Sequence, residues 1–202
     1  ISWGNRKMII QNAKKILEIM DWSPHDFILN FNEKEIKSLS FVHRTFNEND
    51  LKFFFKSLKN IYKNYDGLEK VFIPNHDDEW VFESITRFRD LFFSIDHESR
   101  TTKHISDPKK KSSCKRINMF LRWMVRDGDV DFNLWKKIPK SILSCPLDTH
   151  TLRIANKLKL INRKSNDLKT LSELDIRLRS FCPNDPVKYD FALFGLGIEN
   201  EL

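Results

Sequence analysis

Apolar residues recur along almost the whole chain at helical spacing and nowhere alternate over any length, which constrains the fold more than any other feature. A stripe at i, i+3, i+4 and i+7 can be buried along one side of a helix but not along one side of a strand. Ile9, Ile10, Ala13, Ile16, Leu17 and Met20 form the first stripe. Ser23 and Pro24 read as the N-cap and first position of a short helix through Phe27 and Ile28. Leu51, Phe54, Phe55, Leu58, Ile61, Tyr62 and Tyr65 make the longest stripe, with Gly67 as its stop. Trp80, Val81, Ser84, Ile85, Phe88, Leu91, Phe92 and Ile95 make the next, opened by Asp77 and Asp78, which suit a helix N-terminus.

From Asp96 to Ser112 the pattern lapses into polar and basic residues and reads as a loop or docking surface. Helical spacing resumes at Ile117, Phe120, Leu121 and Met124 and ends near Gly128, and a short element is expected around Phe132, Leu134, Trp135 and Ile138. Asp148 is placed to cap a helix through Leu152, Ala155 and Leu158. Leu168, Leu171, Leu174, Leu178 and Phe181 carry another. The last is expected to start at Asp185-Pro186 and run through Tyr189 and Phe194 to Gly195 and Gly197. With no strand pattern and no internal repeat, the expected class is all-α.

The chain has 202 residues, enough to bury a sizeable core, and its 40% hydrophobic and 31% charged residues exclude disordered and collagen-like classes. One compact unit over residues 1–202 is the expected organisation. No apolar run reaches the roughly 18 residues of a membrane span. Cys114, Cys145 and Cys182 are odd in number and widely spaced, which argues against a disulfide framework, a structural zinc site and a four-thiolate iron-sulfur cluster. A reducing, cytoplasmic setting follows, with no signal peptide visible; because Ile1 opens the chain without a methionine, residues are expected to be missing before it.

Positive charge is concentrated in one place. Lys103, Lys109, Lys110, Lys111, Lys115, Arg116, Arg122 and Arg126 stand against Asp107 alone, so the segment 103–126 accounts for the whole formal net charge of +7. On a chain of pI about 9.3 this is the pattern of a surface facing a polyanion; a solvated lysine-rich loop is the plainer alternative.

Two segments carry candidate chemistry: Ser112-Ser113-Cys114-Lys115-Arg116-Ile117-Asn118-Met119-Phe120 and Pro146-Leu147-Asp148-Thr149-His150-Thr151-Leu152-Arg153-Ile154-Ala155. Lys115 falls in the opening turn of an amphipathic helix beside Arg116, two neighbours that disfavour an ammonium and favour a nucleophilic amine. Asp148 caps the later helix behind a proline, which fixes where its carboxylate stands.

The second segment resembles the V-D-T-H-x-x-R-x-A-x-R-L stretch of the helix-hairpin-helix DNA glycosylase superfamily, and Lys115 stands where its lyase-competent members carry their lysine. The likeness is greatest to the archaeal 8-oxoguanine glycosylase branch, in which lysine and aspartate lie further apart than in endonuclease III. Here they are 33 residues apart, the added length being Asp127 to Lys140 with an inserted short helix. Ser2-Trp3-Gly4-Asn5-Arg6 and Tyr189-Asp190-Phe191-Ala192-Leu193-Phe194-Gly195-Leu196-Gly197 resemble the two ends of that fold more weakly. The chain departs from the family just before the lysine, where Lys109-Lys110-Lys111-Ser112-Ser113-Cys114 replaces a glycine-rich hairpin; the serine hydroxyls and helix N-terminus are then the expected phosphate cradle.

The resemblance implies an all-α helix-hairpin-helix glycosylase fold, two helical subdomains around a basic cleft, with residues 103–128 as hairpin and lysine helix. It implies a bifunctional DNA glycosylase/AP lyase of base excision repair in the bacterial cytoplasm, acting as a monomer on duplex DNA with an oxidised purine, 8-oxoguanine first, and needing no metal or organic cofactor. Lys115 would form a Schiff base and Asp148 would assist it. Trp3, Asn5, Arg6, Met119, Asp190 and Phe194 are the candidate base contacts. Lys111, Ser112, Ser113, Arg116, His43, Arg44, His150 and Arg153 are the candidate DNA contacts.

Plainer readings stand beside these. Trp3 can be core, Asp190 solvent-exposed or paired with Arg6, and Phe41 to Phe46 a loop anchored by its two phenylalanines rather than a wedge in DNA. Cys114 and Cys145 read as small buried apolar residues. The whole chain can be a duplex-binding module without chemistry, or a helical protein-interaction domain with an incidental basic loop.

Overall fold

The computed structural model describes residues 1–199, and 61% of the chain is helical. Ten α-helices follow in order: α1 (Arg6–Ile19), α2 (Pro24–Asn30), α3 (Glu33–Lys37), α4 (Glu48–Asn64), α5 (Gly67–Phe72), α6 (Val81–Phe92), α7 (Lys115–Val125), α8 (Thr149–Lys157), α9 (Leu168–Phe181) and α10 (Asp190–Glu199). Among the described residues the only extended pairing is an isolated bridge between His43 and Phe46. The all-α class holds, and none of these helices is long and apolar enough to cross a membrane.

The local structure departs from the sequence reading at several places. The short helices α3 and α5 have too few apolar residues to show a period; α3 forms on a capping box in which Asn32 and Glu35 satisfy each other's backbone N–H. Gly67 does not stop α4, which ends at Asn64 with Tyr65 as its C-cap, but opens α5. The 96–112 stretch contains two 3-10 turns, Ser99–His104 and Pro108–Lys110. No short helix forms around residues 132–138 or anywhere between Asp127 and Pro139: the N–H groups of Phe132 and Trp135 instead donate to the Trp123 and Met124 carbonyls, which the C-terminus of α7 leaves unpaired. Gly195 and Gly197 do not end the last helix, for α10 runs through both to Glu199 after a 3-10 turn at Pro186–Tyr189.

The backbone divides into two compact units, Ile1–Val71 with Asp90–Ile105, and Phe72–Arg89 with Ser106 onward. In the first, Met20, Ile28, Phe31, Ile36, Phe41, Phe46, Leu51 and Phe55 form a buried cluster drawn from α2, α3, α4 and the cap and loop residues between helices, with Ile16, Leu17 and Ile19 of α1 packed against it. Each such side chain contributes about 1.5–3 kcal/mol when removed from water. Phe41 and Phe46 therefore anchor the 41–46 loop, as its plainer reading expects. Asp50, fully buried, organises the polar part of this unit. It closes a capping box with Asn47 and accepts from Arg100 at 2.9 and 3.0 Å and from the Thr101 hydroxyl at 2.7 Å. Burial pushes its carboxyl up, but the bonds from Asn47, Thr101 and Arg100 and the nearby His104 outweigh this and hold it below its ordinary value.

The second unit is built on Phe72 stacked on Phe88 at 4.5 Å, with Leu121, Val125, Leu147, Ile154, Ala155, Leu171, Leu174, Leu178 and Val187 filling its core. Its α8 and α10 pack closely because Gly197 has no side chain: a Cβ there would lie 2.7 Å from the His150 Cβ.

Candidate active site

The site begins with a hairpin that manages without glycine. Asp107 caps the Pro108–Lys110 turn, accepting from the Lys109 N–H at 2.9 Å, and Lys111 then turns left-handed at φ 63°. Cys114 turns left-handed again at φ 48°, immediately before α7 begins at Lys115. Two non-glycine residues thus take the backbone shape a glycine would have eased, and burial holds one of them, since Cys114 is 0% exposed. Burial also pushes the Cys114 thiol up to about 11, so it is an inert packing group.

Asp148 arrives on a different kind of segment. Residues 143–148 run buried and outside any helix or strand into α8, with extended backbone at Leu143 and Asp148, and Asp148 caps that helix by accepting the Thr151 N–H on Oδ1 at 2.8 Å. Its other oxygen, Oδ2, lies 3.4 Å from Lys115 Nζ. The structure therefore brings together the two residues that the sequence places 33 positions apart. The carboxylate is largely buried, with 11% of its side chain exposed, whereas Lys115 keeps 47% of its side chain open to solvent. An accessible amine fixed beside an oriented carboxylate can act as a nucleophile with a base in reach.

The other candidate residues divide among several roles. Met119 lies one turn beyond Lys115 on α7 and is half-buried, and the exposed Phe194 ring meets His150 edge-on at 5.8 Å. Lys109, Lys110 and Lys111 are exposed and Arg116 is half-buried. Ser112 accepts the Cys114 N–H on its hydroxyl at 3.2 Å, and Ser113 is buried and donates to Asn166 Oδ1 at 2.8 Å. Both serines thus brace the hairpin from within. His150 Nδ1 donates to the Gly197 carbonyl at 3.1 Å and Arg153 donates to the same oxygen, tying α8 to α10.

Asp190 is neither solvent-exposed nor paired with Arg6. It is 2% exposed and accepts from Arg122, with its second oxygen 3.5 Å from the Cys145 thiol. Burial pushes its carboxyl up, partly offset by Arg122. Arg122 also reaches Asp131, and Arg126 joins Asp131 to Asp185, so a buried chain of alternating charge ties α7 to α10. Two of the eight basic residues counted along the sequence are consumed here, and Asp107 is paired with Arg89 at 3.4 Å. The cationic surface of this segment narrows to the lysines of the hairpin and its surroundings.

Trp3, Asn5, Arg6, His43 and Arg44 belong to the first unit. Trp3 is half-buried against the core, with its ring stacked on His104 at 5.9 Å and edge-on to His43 at 5.0 Å. His43 is 1% exposed: its Nε2–H donates to the Trp3 carbonyl at 3.0 Å and its Nδ1 accepts from Asn12 at 2.8 Å, so it is an internal tie and not a surface contact for DNA. The Asn5 side-chain oxygen caps α1, Arg6 is its exposed first residue, and Arg44 lies across Gly4.

Three residues of the site have no sequence motif. Asn166, Asp175 and Arg179 hold the segments that carry Lys115 and Asp148. Asp175 did leave a signal, a carboxylate on the Leu171, Leu174, Leu178 face of α9, of the kind that marked Asp190. Burial pushes it up to about 7 against the lowering effects of the Cys145 N–H, Arg179 and Ser144. Among the described residues no three His, Cys, Asp or Glu side chains converge as a metal site.

A family model described as a protein of unknown function (DUF2400) matches residues 1–199. No curated protein and no solved structure matches the chain.

Proposed function

The chain belongs to the DUF2400 family, and for this member we propose a bifunctional DNA glycosylase/AP lyase that removes an oxidised purine, 8-oxoguanine first, through a Schiff base on Lys115. The observation that carries the reading is the 3.4 Å approach of Lys115 Nζ to Asp148 Oδ2 while Asp148 Oδ1 caps α8. A lysine meant only to touch phosphate has no need of a carboxylate fixed beside it by a helix.

The chemistry assigns each group a task. With the damaged nucleotide flipped out of the duplex, the Lys115 nitrogen forms a bond to C1′ as the C1′–N9 bond breaks; the electron pair leaves with the purine, which takes up a proton. The attacking nitrogen gives up a proton to Asp148, whose charge also stabilises the cationic sugar; a preorganised group of this kind is worth about 10²–10³-fold in rate. Opening of the sugar ring yields the Schiff base, and loss of a C2′ proton then expels the 3′ phosphate. Lys109, Lys110, Lys111 and Arg116 supply charge for the backbone, and Met119 and Phe194 supply apolar surface for the base. The fold in this reading is that of the helix-hairpin-helix glycosylases, acting as a monomer in the bacterial cytoplasm.

The test is strand cleavage on labelled duplexes carrying 8-oxoguanine, other damaged bases or an abasic site, without alkali. Cleavage of one damaged duplex by the wild type and not by Lys115→Gln is expected. Base and strand left intact on every duplex would overturn the reading.

A further inference from the structure

A buried segment that belongs to no helix or sheet must place its backbone polar groups elsewhere. Residues 143–148, which deliver Asp148, place three of theirs, the Leu143 carbonyl, the Cys145 N–H and the Leu147 carbonyl, on side chains of α9 and of the loop before it. Arg179 donates to the carbonyls of Ser141 at 3.2 Å and Leu143 at 2.9 Å. Asp175 accepts the Cys145 N–H at 2.9 Å, and Asn166 Nδ2 donates to the Leu147 carbonyl at 3.3 Å. That loop and the first residue of α9 also hold the lysine hairpin: the Leu168 N–H donates to the Lys111 carbonyl at 2.9 Å, and the Ser113 hydroxyl donates to Asn166 Oδ1 at 2.8 Å.

Asn166 therefore touches both arms of the site. One end of its amide holds Ser113, two residues before Lys115, and the other holds Leu147, one residue before Asp148. Its own loop is braced, because Asp167 caps α9 through the Thr170 N–H at 2.9 Å and accepts from Arg163 at 2.9 Å and Ser165 at 2.8 Å. We propose that Asn166 is the positioning residue that sets the separation of Lys115 and Asp148, an inference that rests on the glycosylase/lyase reading of that pair. An amide suits the task because it accepts at one atom and donates at the other; a carboxylate could hold Ser113 but would turn an oxygen toward the Leu147 carbonyl.

Misplacement by about 1 Å can cost about 100-fold in rate. The experiment compares the single-turnover rate of borohydride-trappable adduct on an abasic duplex, across pH, with the dissociation constant for that duplex. Asn166→Ala and Asn166→Asp are expected to lose about 10- to 100-fold in trapping rate, with duplex affinity unchanged and the pH–rate profile displaced. Ser113→Ala, which removes only the hairpin-side bond, is expected to show the same kind of loss. The double variant Ser113→Ala/Asn166→Ala should then be no slower than Asn166→Ala. A wild type that traps and an Asn166→Ala that traps at the same rate with the same profile would overturn the inference and leave the glycosylase reading standing. Losses that simply add in the double variant, or that track loss of duplex affinity, would also overturn it. A wild type that traps on no duplex overturns the reading itself, and the inference with it.

Discussion

Asp148 divides its carboxylate between two partners, the Thr151 N–H on Oδ1 at 2.8 Å and Lys115 Nζ on Oδ2 at 3.4 Å. The two roles can be separated by substitution. Asp148→Asn keeps an oxygen for the cap and is expected to stay within about 1 kcal/mol of the wild type, because an ion pair with a half-exposed lysine contributes little. Asp148→Ala loses the cap as well, costing about 1 kcal/mol more, or about 2–4 °C in Tm. Both are expected to lose strand cleavage. Thermal melts beside cleavage assays check this, and an Asp148→Asn that cleaves at the wild-type rate would remove the carboxylate from the chemistry.

The two glycines of α10 are expected to respond in opposite directions. At Gly197 an added methyl meets the His150 backbone and Cβ, so Gly197→Ala must push α8 from α10 at a cost of about 1–3 kcal/mol. A methyl at Gly195 would meet nothing within 4 Å, and Gly195→Ala should gain about 0.5–1 kcal/mol of helix stability. Denaturant unfolding of the two variants decides it.

Removing Arg122 leaves Asp190 buried without its cation and costs about 3–5 kcal/mol. Arg122→Met should be among the least stable single variants of the second unit, and Asp190→Asn in the same background should recover part of the loss. No recovery would mean that the arginine acts through its packing and not its charge.

Asp175 makes stability depend on pH. Its folded value of about 7 lies above the ordinary 3.8, so the native state binds the proton more tightly and the ionised form opposes folding. The contribution is most favourable below the ordinary value and is lost as pH rises through about 7. Asp175→Asn keeps an acceptor for the Cys145 N–H, so its stability relative to wild type should rise between pH 4 and pH 7 on this account. Unfolding curves at several pH values measure the difference, and a flat difference would show that the carboxyl titrates normally.

How much of this could be read from the chain depended on whether an interaction is local. The helices with long apolar stripes, α1, α4, α6, α7, α8 and α9, the cap at Asp148 and the start of α2 at Ser23-Pro24 were legible because their causes lie within a few residues, although the Ser23 hydroxyl makes no capping bond. The inserted helix expected between Asp127 and Lys140 was not formed, because the orphan carbonyls of α7 captured that backbone. The charge of the 103–126 segment was overcounted for a similar reason: sequence shows Arg122 and Arg126 but not that Asp131, Asp185 and Asp190 meet them. The Lys115–Asp148 pair was legible only through a resemblance. Asn166 was illegible altogether, since a polar residue in a polar loop carries no pattern until its two partners are in place.

The central claim is that Lys115 is a covalent nucleophile on DNA. It is tested most directly by borohydride reduction of the protein with an 8-oxoguanine duplex and with an abasic duplex, followed by peptide mass mapping of any adduct. A single protein–DNA adduct, mapped to Lys115 and absent from Lys115→Gln, is expected. An adduct mapped to another lysine, or none at all despite tight binding of both duplexes, would contradict it and leave a DNA-binding module without this chemistry.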